Sequence, residues 1–115
     1  MNNNSDDLEK IGTKRWNKWL IITISGKFIV KSVFQLKNIF DEAERNCEQF
    51  LAMDLSKTTY LDSSAITILL NFHKRSAEKG VCLVIFGLNP DIEEVISIVG
   101  IDKVISIVKT ITDLP

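Results

Sequence analysis

The spacing of apolar residues changes several times along the chain, and each change marks an element. Leu8 to Arg15 carries a weak strand pattern suited to a sheet edge. Trp19 to Thr23 (WLIIT) is a short β-rich run that stops at Ser25-Gly26, which predicts a buried strand. From Ser32 the period becomes helical. Leu36, Ile39, Phe40, Ala43 and Cys47 form one stripe, while Asp41, Glu42, Glu44, Arg45 and Glu48 give an acidic outer face, with Ser32 as N-cap. Phe50 to Leu55 returns to strand character, and Ser56 to Leu61 reads as a loop. Asp62 and Ser63 open a second helix that runs to Lys79 and stops at Gly80. Val81 to Phe86 is solidly apolar, as in the middle of a sheet. Asn89-Pro90 starts a third helix with Ile92, Val95, Ile96 and Val99 as its stripe and Gly100 as its stop. Val104 to Val108 is a last short strand.

The order is β-β-α-β-α-β-α-β, the pattern of an α/β fold. It predicts a mixed sheet of about four to five strands with helices packed on it, the first two strands forming a hairpin. The 115 residues suffice for one domain, expected over 8–115 behind a flexible polar tail at 1–7. A content of 45% hydrophobic and 25% charged residues excludes a disordered chain. The formal net charge of -1 leaves no overall basic field for nucleic acid or anionic lipid. No apolar run approaches the roughly 20 residues that cross a bilayer, and the start MNNNSDDLEK is polar and acidic where a signal peptide is basic and then apolar. A cytoplasmic protein is expected. Cys47 and Cys82 stand apart at apolar positions and read as buried, reduced thiols. His73 is the single histidine and falls on the apolar arc of its helix, so packing is expected there and no metal cluster.

Chemistry concentrates in MDLSKTTYLDSSA, residues 53–65. A strand ends, a polar loop follows, and two hydroxyls sit on the first turn of a helix behind a carboxylate. Unpaired N–H groups and a positive partial charge at that turn favour a phosphate, so Ser63 is a candidate phosphoacceptor; on local chemistry alone the commoner role is that Asp62 or Ser63 simply caps the helix. Ser63 lacks a nearby base and a G-x-S-x-G elbow, which argues against a hydrolase, and no nucleotide-binding glycine motif is present. The chain does not read as an enzyme. The apolar arc of this helix spans about 200°. Ile66, Leu69, Leu70 and Ala77 account for a sheet-facing side. Ile68 and Phe72 lie at its edge, either as a wide core face or as an exposed docking contact beside Ser63.

The segment MDLSKTTYLDSSAITILL resembles the signature of the STAS domain, particularly of bacterial anti-sigma factor antagonists, in which a D-L-S-like triplet, a short loop and D-S-S-G open a helix. The likeness continues through Gly26, the Lys79-Gly80 turn and NPDIEEVISIVGIDKVISIV, and covers roughly residues 8 to 110. It implies a phosphorylation-controlled partner switch without catalytic residues, cofactor or metal. Ser63 would be phosphorylated by an anti-sigma factor serine kinase of the GHKL type and reset by a PP2C-type phosphatase. The unmodified form would bind the kinase around Asp62, Ser63 and Ser64, with Ile68 and Phe72 as the further contacts that the helix pattern offers if they are exposed. The alternative is an unphosphorylated STAS accessory subunit of a transporter or another signalling complex. The sequence departs from the family in three places. Ala65 replaces the glycine of D-S-S-G, at a position that could meet the kinase. Gly26-Lys27-Phe28-Ile29 replaces the frequent G-E-L-D. The family's terminal helix is cut short or missing beyond Thr110.

Overall fold

Alternation along the second strand divides the molecule into two faces. In the computed structural model, which describes residues 10–115, this strand is β2, Trp19–Phe28. Ile22, Ile24 and Phe28 point to one side, into a core shared with the helices, whereas Trp19 and Ile21 point to the other. The tail expected over residues 1–7, and Leu8 of the first strand, lie outside the described residues. Around β2 the described residues form β1 (Lys10–Trp16), α1 (Val30–Arg45), β3 (Phe50–Asp54), β4 (Thr58–Leu61) and α2 (Ser63–Glu78). They continue as β5 (Cys82–Phe86), α3 (Pro90–Val99) and β6 (Ser106–Val108), with short 3₁₀ turns at Ile101–Lys103 and Ile111–Asp113.

The result is a mixed sheet in the order β1-β2-β3-β5-β6, with β4 also on β2. The α/β class and its mixed sheet are as the sequence predicts, including the hairpin: β1 and β2 are antiparallel, and Trp16 faces Trp19 across a two-residue turn. Asn17 takes the left-handed conformation that such a turn needs (φ 53°). All other pairings are parallel.

Residues 56–61, expected as a loop, instead contain β4. The strand β3 pairs with Leu20 to Thr23; the chain then steps over Leu55, Ser56 and Lys57, and β4 pairs with the far end of the same strand, Gly26 to Phe28. Thr58 is wholly buried and donates its hydroxyl to the Ile24 carbonyl at 2.7 Å, which pins the step. β2 therefore runs on through Gly26 to Phe28, well past its expected stop, with a register shift between Gly26 and Lys27. Its extra length carries the chain to the start of α1.

Leu36, Phe40 and Ala43 of α1, Ala65, Leu69 and Phe72 of α2, and Ile92 and Ile96 of α3 share one core with the sheet. Trp19, Ile21, Ala52, Val84 and Phe86 form a second cluster on the opposite face, closed by Leu114 of the C-terminal segment. The Trp19 indole N–H donates to the Pro115 carbonyl at 3.1 Å. This segment forms a 3₁₀ turn, not a terminal helix. Both cysteines are exposed, not buried. Cys47 lies beyond the end of α1 with φ 57°, off the helical stripe, and Cys82 heads β5 on the face opposite the helices. Ser32 is the third residue of α1 and not its cap: its hydroxyl accepts the Ile29 N–H at 3.1 Å.

Candidate functional site

The DSS sequence sits where two helices begin. Asp62 is the N-cap of α2 in extended conformation, and its Oδ1 accepts the Ala65 N–H at 3.0 Å. Its Oδ2 accepts the N–H of Val30, the first residue of α1, at 3.3 Å. One carboxylate thus satisfies unpaired donors at both helix starts. Asp62 is itself held by its N–H, which donates to the Phe28 carbonyl at 3.2 Å. Capping therefore falls to Asp62, and the Ser63 hydroxyl is left out of it. Ser63 is exposed on the first turn and Ser64 is half-buried.

Beside them runs a groove of about 330 Å³ between α1 and α2, lined by Val30, Val33, Ser63, Thr67, Ile68 and their neighbours. Ile68 is half-buried in the wall of this groove. Phe72 is not. It is 2% exposed and its ring stacks on Phe40, with centroids 3.6 Å apart and planes 14° apart. The pair joins α1 to α2 inside the core, so Phe72 leaves the contact surface. Leu70 and Ala77, expected to face the sheet, are exposed instead. The buried stripe is Ala65, Leu69, Phe72 and Ser76, rotated by about one residue from the expected one. Ala65 is wholly buried, so its methyl packs inward and is no obstacle at the surface.

The sequence reading missed the contribution of α1. Val30 is 58% and Phe34 79% exposed. They stand four residues apart and therefore share a helix face away from Leu36, Phe40 and Ala43. That second apolar stripe on an otherwise charged helix was the available signal. Tyr60 of β4 is also exposed and lies across the sheet from Lys27.

Beyond the groove, Arg75 of α2 bridges to two carboxylates of α1. Its Nε donates to Glu44 at 2.6 Å and its Nη2 to Asp41 at 2.7 Å. The hydrogen bond from Arg75 is the main reason the Glu44 carboxyl titrates below its ordinary range, and the same bonds raise the guanidinium. His73 is half-buried, further along α2. Among the described residues, no group of three or more His, Cys, Asp or Glu is arranged to hold a metal ion, and no helix is long and apolar enough to cross a membrane.

The STAS domain model matches residues 9–114. The chain belongs to the STAS domain family. Solved structures agree on the fold. An anti-sigma factor antagonist from Mycobacterium paratuberculosis is 17% identical, with 96% of this chain and 94% of that one covered at a TM-score of 0.82. The phosphorylated form of the Bacillus cell fate determinant SpoIIAA is 12% identical, covering 88% and 91% at a TM-score of 0.69. A sulfate transporter family protein from Wolinella succinogenes is 17% identical, covering 76% and 70% at a TM-score of 0.67. No curated protein matches the sequence.

Proposed function

We propose that this STAS domain is an anti-sigma factor antagonist whose binding to a GHKL-type serine kinase is switched by phosphorylation of Ser63, with a PP2C-type phosphatase resetting it. The observation that carries this reading is the division of labour at the start of α2. Asp62 takes the capping role, and Ser63 is exposed in the lining of the groove, its hydroxyl in no hydrogen bond among the described residues. Phosphate there adds a charge of about -1.5 to -2. It would stand next to the Asp62 carboxylate and at the edge of a surface that must be desolvated for a partner to dock. The contact surface so proposed comprises Asp62, Ser63, Ser64 and Ile68, joined by Val30 and Phe34. Its fold neighbours among anti-sigma factor antagonists support the same reading.

Phosphopeptide mass spectrometry on protein from its native host tests the assignment: phosphate is expected on Ser63, and phosphate on Ser64 alone overturns it. Binding to the kinase should survive Ser63→Ala and weaken with Ser63→Asp. A second reading, an accessory subunit bound to a separate transporter chain, draws on the likeness to the Wolinella protein. It is favoured if the two variants bind the same partner equally well.

A further inference from the structure

Two exposed apolar surfaces on this chain carry opposite charge. The first is the α1–α2 groove with Phe34 standing proud of it. Lys31 and Lys37, each three residues from Phe34, stand exposed beside it, and Lys74 is exposed on α2, three residues beyond Asn71 of the groove lining. None of the three is in an ion pair among the described residues. Of the carboxylates nearby, Asp41 pairs with Arg75 and Asp62 accepts two backbone N–H groups. Glu78, one turn beyond Lys74, is exposed and in no ion pair among the described residues, so the positive balance around Phe34 rests on Lys31 and Lys37.

The second surface lies on α3 and the turn after it. Ile98 is 77% exposed, with Val99 and Val104 exposed beside it. A groove of about 580 Å³ runs between α3 and β6, with Leu88, Ile96 and Ile107 as its apolar lining and Glu93, Glu94 and Asp102 along it. Glu94 stands one turn before Ile98, and Asp102 shares the groove lining with it. Lys103, exposed next to Asp102, pairs with none of these carboxylates among the described residues, so the balance here is negative.

We propose that the α3 surface of one copy docks onto the α1–α2 surface of the next, with Phe34 entering the α3–β6 groove and lysines facing carboxylates. The occupant is a second copy of this chain because the same molecule presents both halves, matched in apolar character and opposed in charge. Pairing like with like is disfavoured, since it sets Lys31 and Lys37 against themselves or Glu93, Glu94 and Asp102 against themselves. The contact is therefore head-to-tail, and it extends to rings or short filaments. It does not depend on the proposed switch, because no kinase and no phosphate is required.

Sedimentation velocity on the purified full chain tests it. The mean mass should rise from micromolar to near-millimolar concentration and fall as salt is added. Phe34→Asp and Ile98→Asp should each weaken self-association by about tenfold or more, with circular dichroism unchanged because both side chains are exposed. Mixing the two variants leaves one intact pair of surfaces, so a one-to-one heterodimer and nothing larger is expected. Wild-type protein that stays monomeric throughout at low salt overturns the proposal. So does a mixture that forms no heterodimer, or an Ile98→Asp variant that still self-associates like the wild type.

Discussion

The carboxylate of Asp62 receives the N–H of Val30 from α1 and that of Ala65 from α2, so one side chain fastens two helix starts. Replacing it by alanine leaves both donors without a protein partner. Asp62→Ala is expected to cost about 1–2 kcal/mol of folding stability, while Asp62→Asn keeps an acceptor and loses less. Urea denaturation of the three proteins measures this. A loss confined to α2 would show in hydrogen exchange as faster opening at Ala65 with Val30 unchanged, and would remove the bridge from the account.

Phe72 and Ile68 lie one turn apart on α2 but belong to different surfaces. Phe72→Ala empties the stack against Phe40 and is expected to cost about 3–5 kcal/mol. Ile68→Ala, at the half-buried groove wall, should cost clearly less, with its main effect on partner binding. Comparing unfolding free energies with partner affinity separates the two. Equal stability losses would place Ile68 in the core.

These two residues also show what the sequence makes legible. Periodicity located α2, since Asp62 and Gly80 bracket a regular apolar repeat, but left its cap open between Asp62 and Ser63. It did not orient the helix, because an arc as wide as that of α2 fits several rotations. The choice among them depends on which residues α1 presents, here Phe40 to Phe72. The strand β4 was illegible for a related reason. Its four residues show Thr58 and Leu61 buried with Thr59 and Tyr60 exposed, a pattern too short to reveal a period. Its partner is a stretch of β2 that lies beyond an apparent stop at Gly26. The half of the site on α1 was readable in principle, from Val30 and Phe34 lying off the buried stripe.

The Arg75 clamp gives the fold an acid-sensitive contact. Glu44 titrates below its ordinary value of 4.5 in the folded protein, mainly because Arg75 donates hydrogen bonds to it. A carboxyl with a depressed folded-state pKa contributes stability that is fully present above the unfolded value and lost as pH falls through the folded one. Part of the stability should therefore disappear as pH drops below about 4.5. Glu44→Gln is expected to flatten that part of the profile, with little difference from wild type at the acid end. Thermal midpoints measured from neutral pH down to acid check this, and parallel profiles would rule out the contribution.

Gly87 connects the sheet to the turn that delivers Asp62. It follows β5 with φ 82°, a conformation that side chains disfavour, and its N–H donates to the Lys109 carbonyl at 3.1 Å. An added Cβ would stand 2.9 Å from the Ser56 Cβ and 3.2 Å from both the Asp54 Oδ1 and the Ser56 nitrogen. Those atoms form the step between β3 and β4: Asp54 Oδ1 accepts the Ser56 N–H at 2.9 Å, and the Leu55 N–H donates to Phe86 at 3.0 Å. The contact at Ser56 involves Cβ and backbone, so it cannot be relieved by a rotamer change, and the turn itself must move. Gly87→Ala is thus expected to lose about 2–4 kcal/mol from strain and overpacking together. The loss should be accompanied by faster amide exchange from Leu55 to Asp62, since β4 and the α2 cap hang from that turn. Gly12, which has open space around its position, serves as the control and should accept alanine at far smaller cost. If Gly87→Ala matches wild type in denaturant midpoint and in exchange over that turn, Gly87 does not hold the site in place.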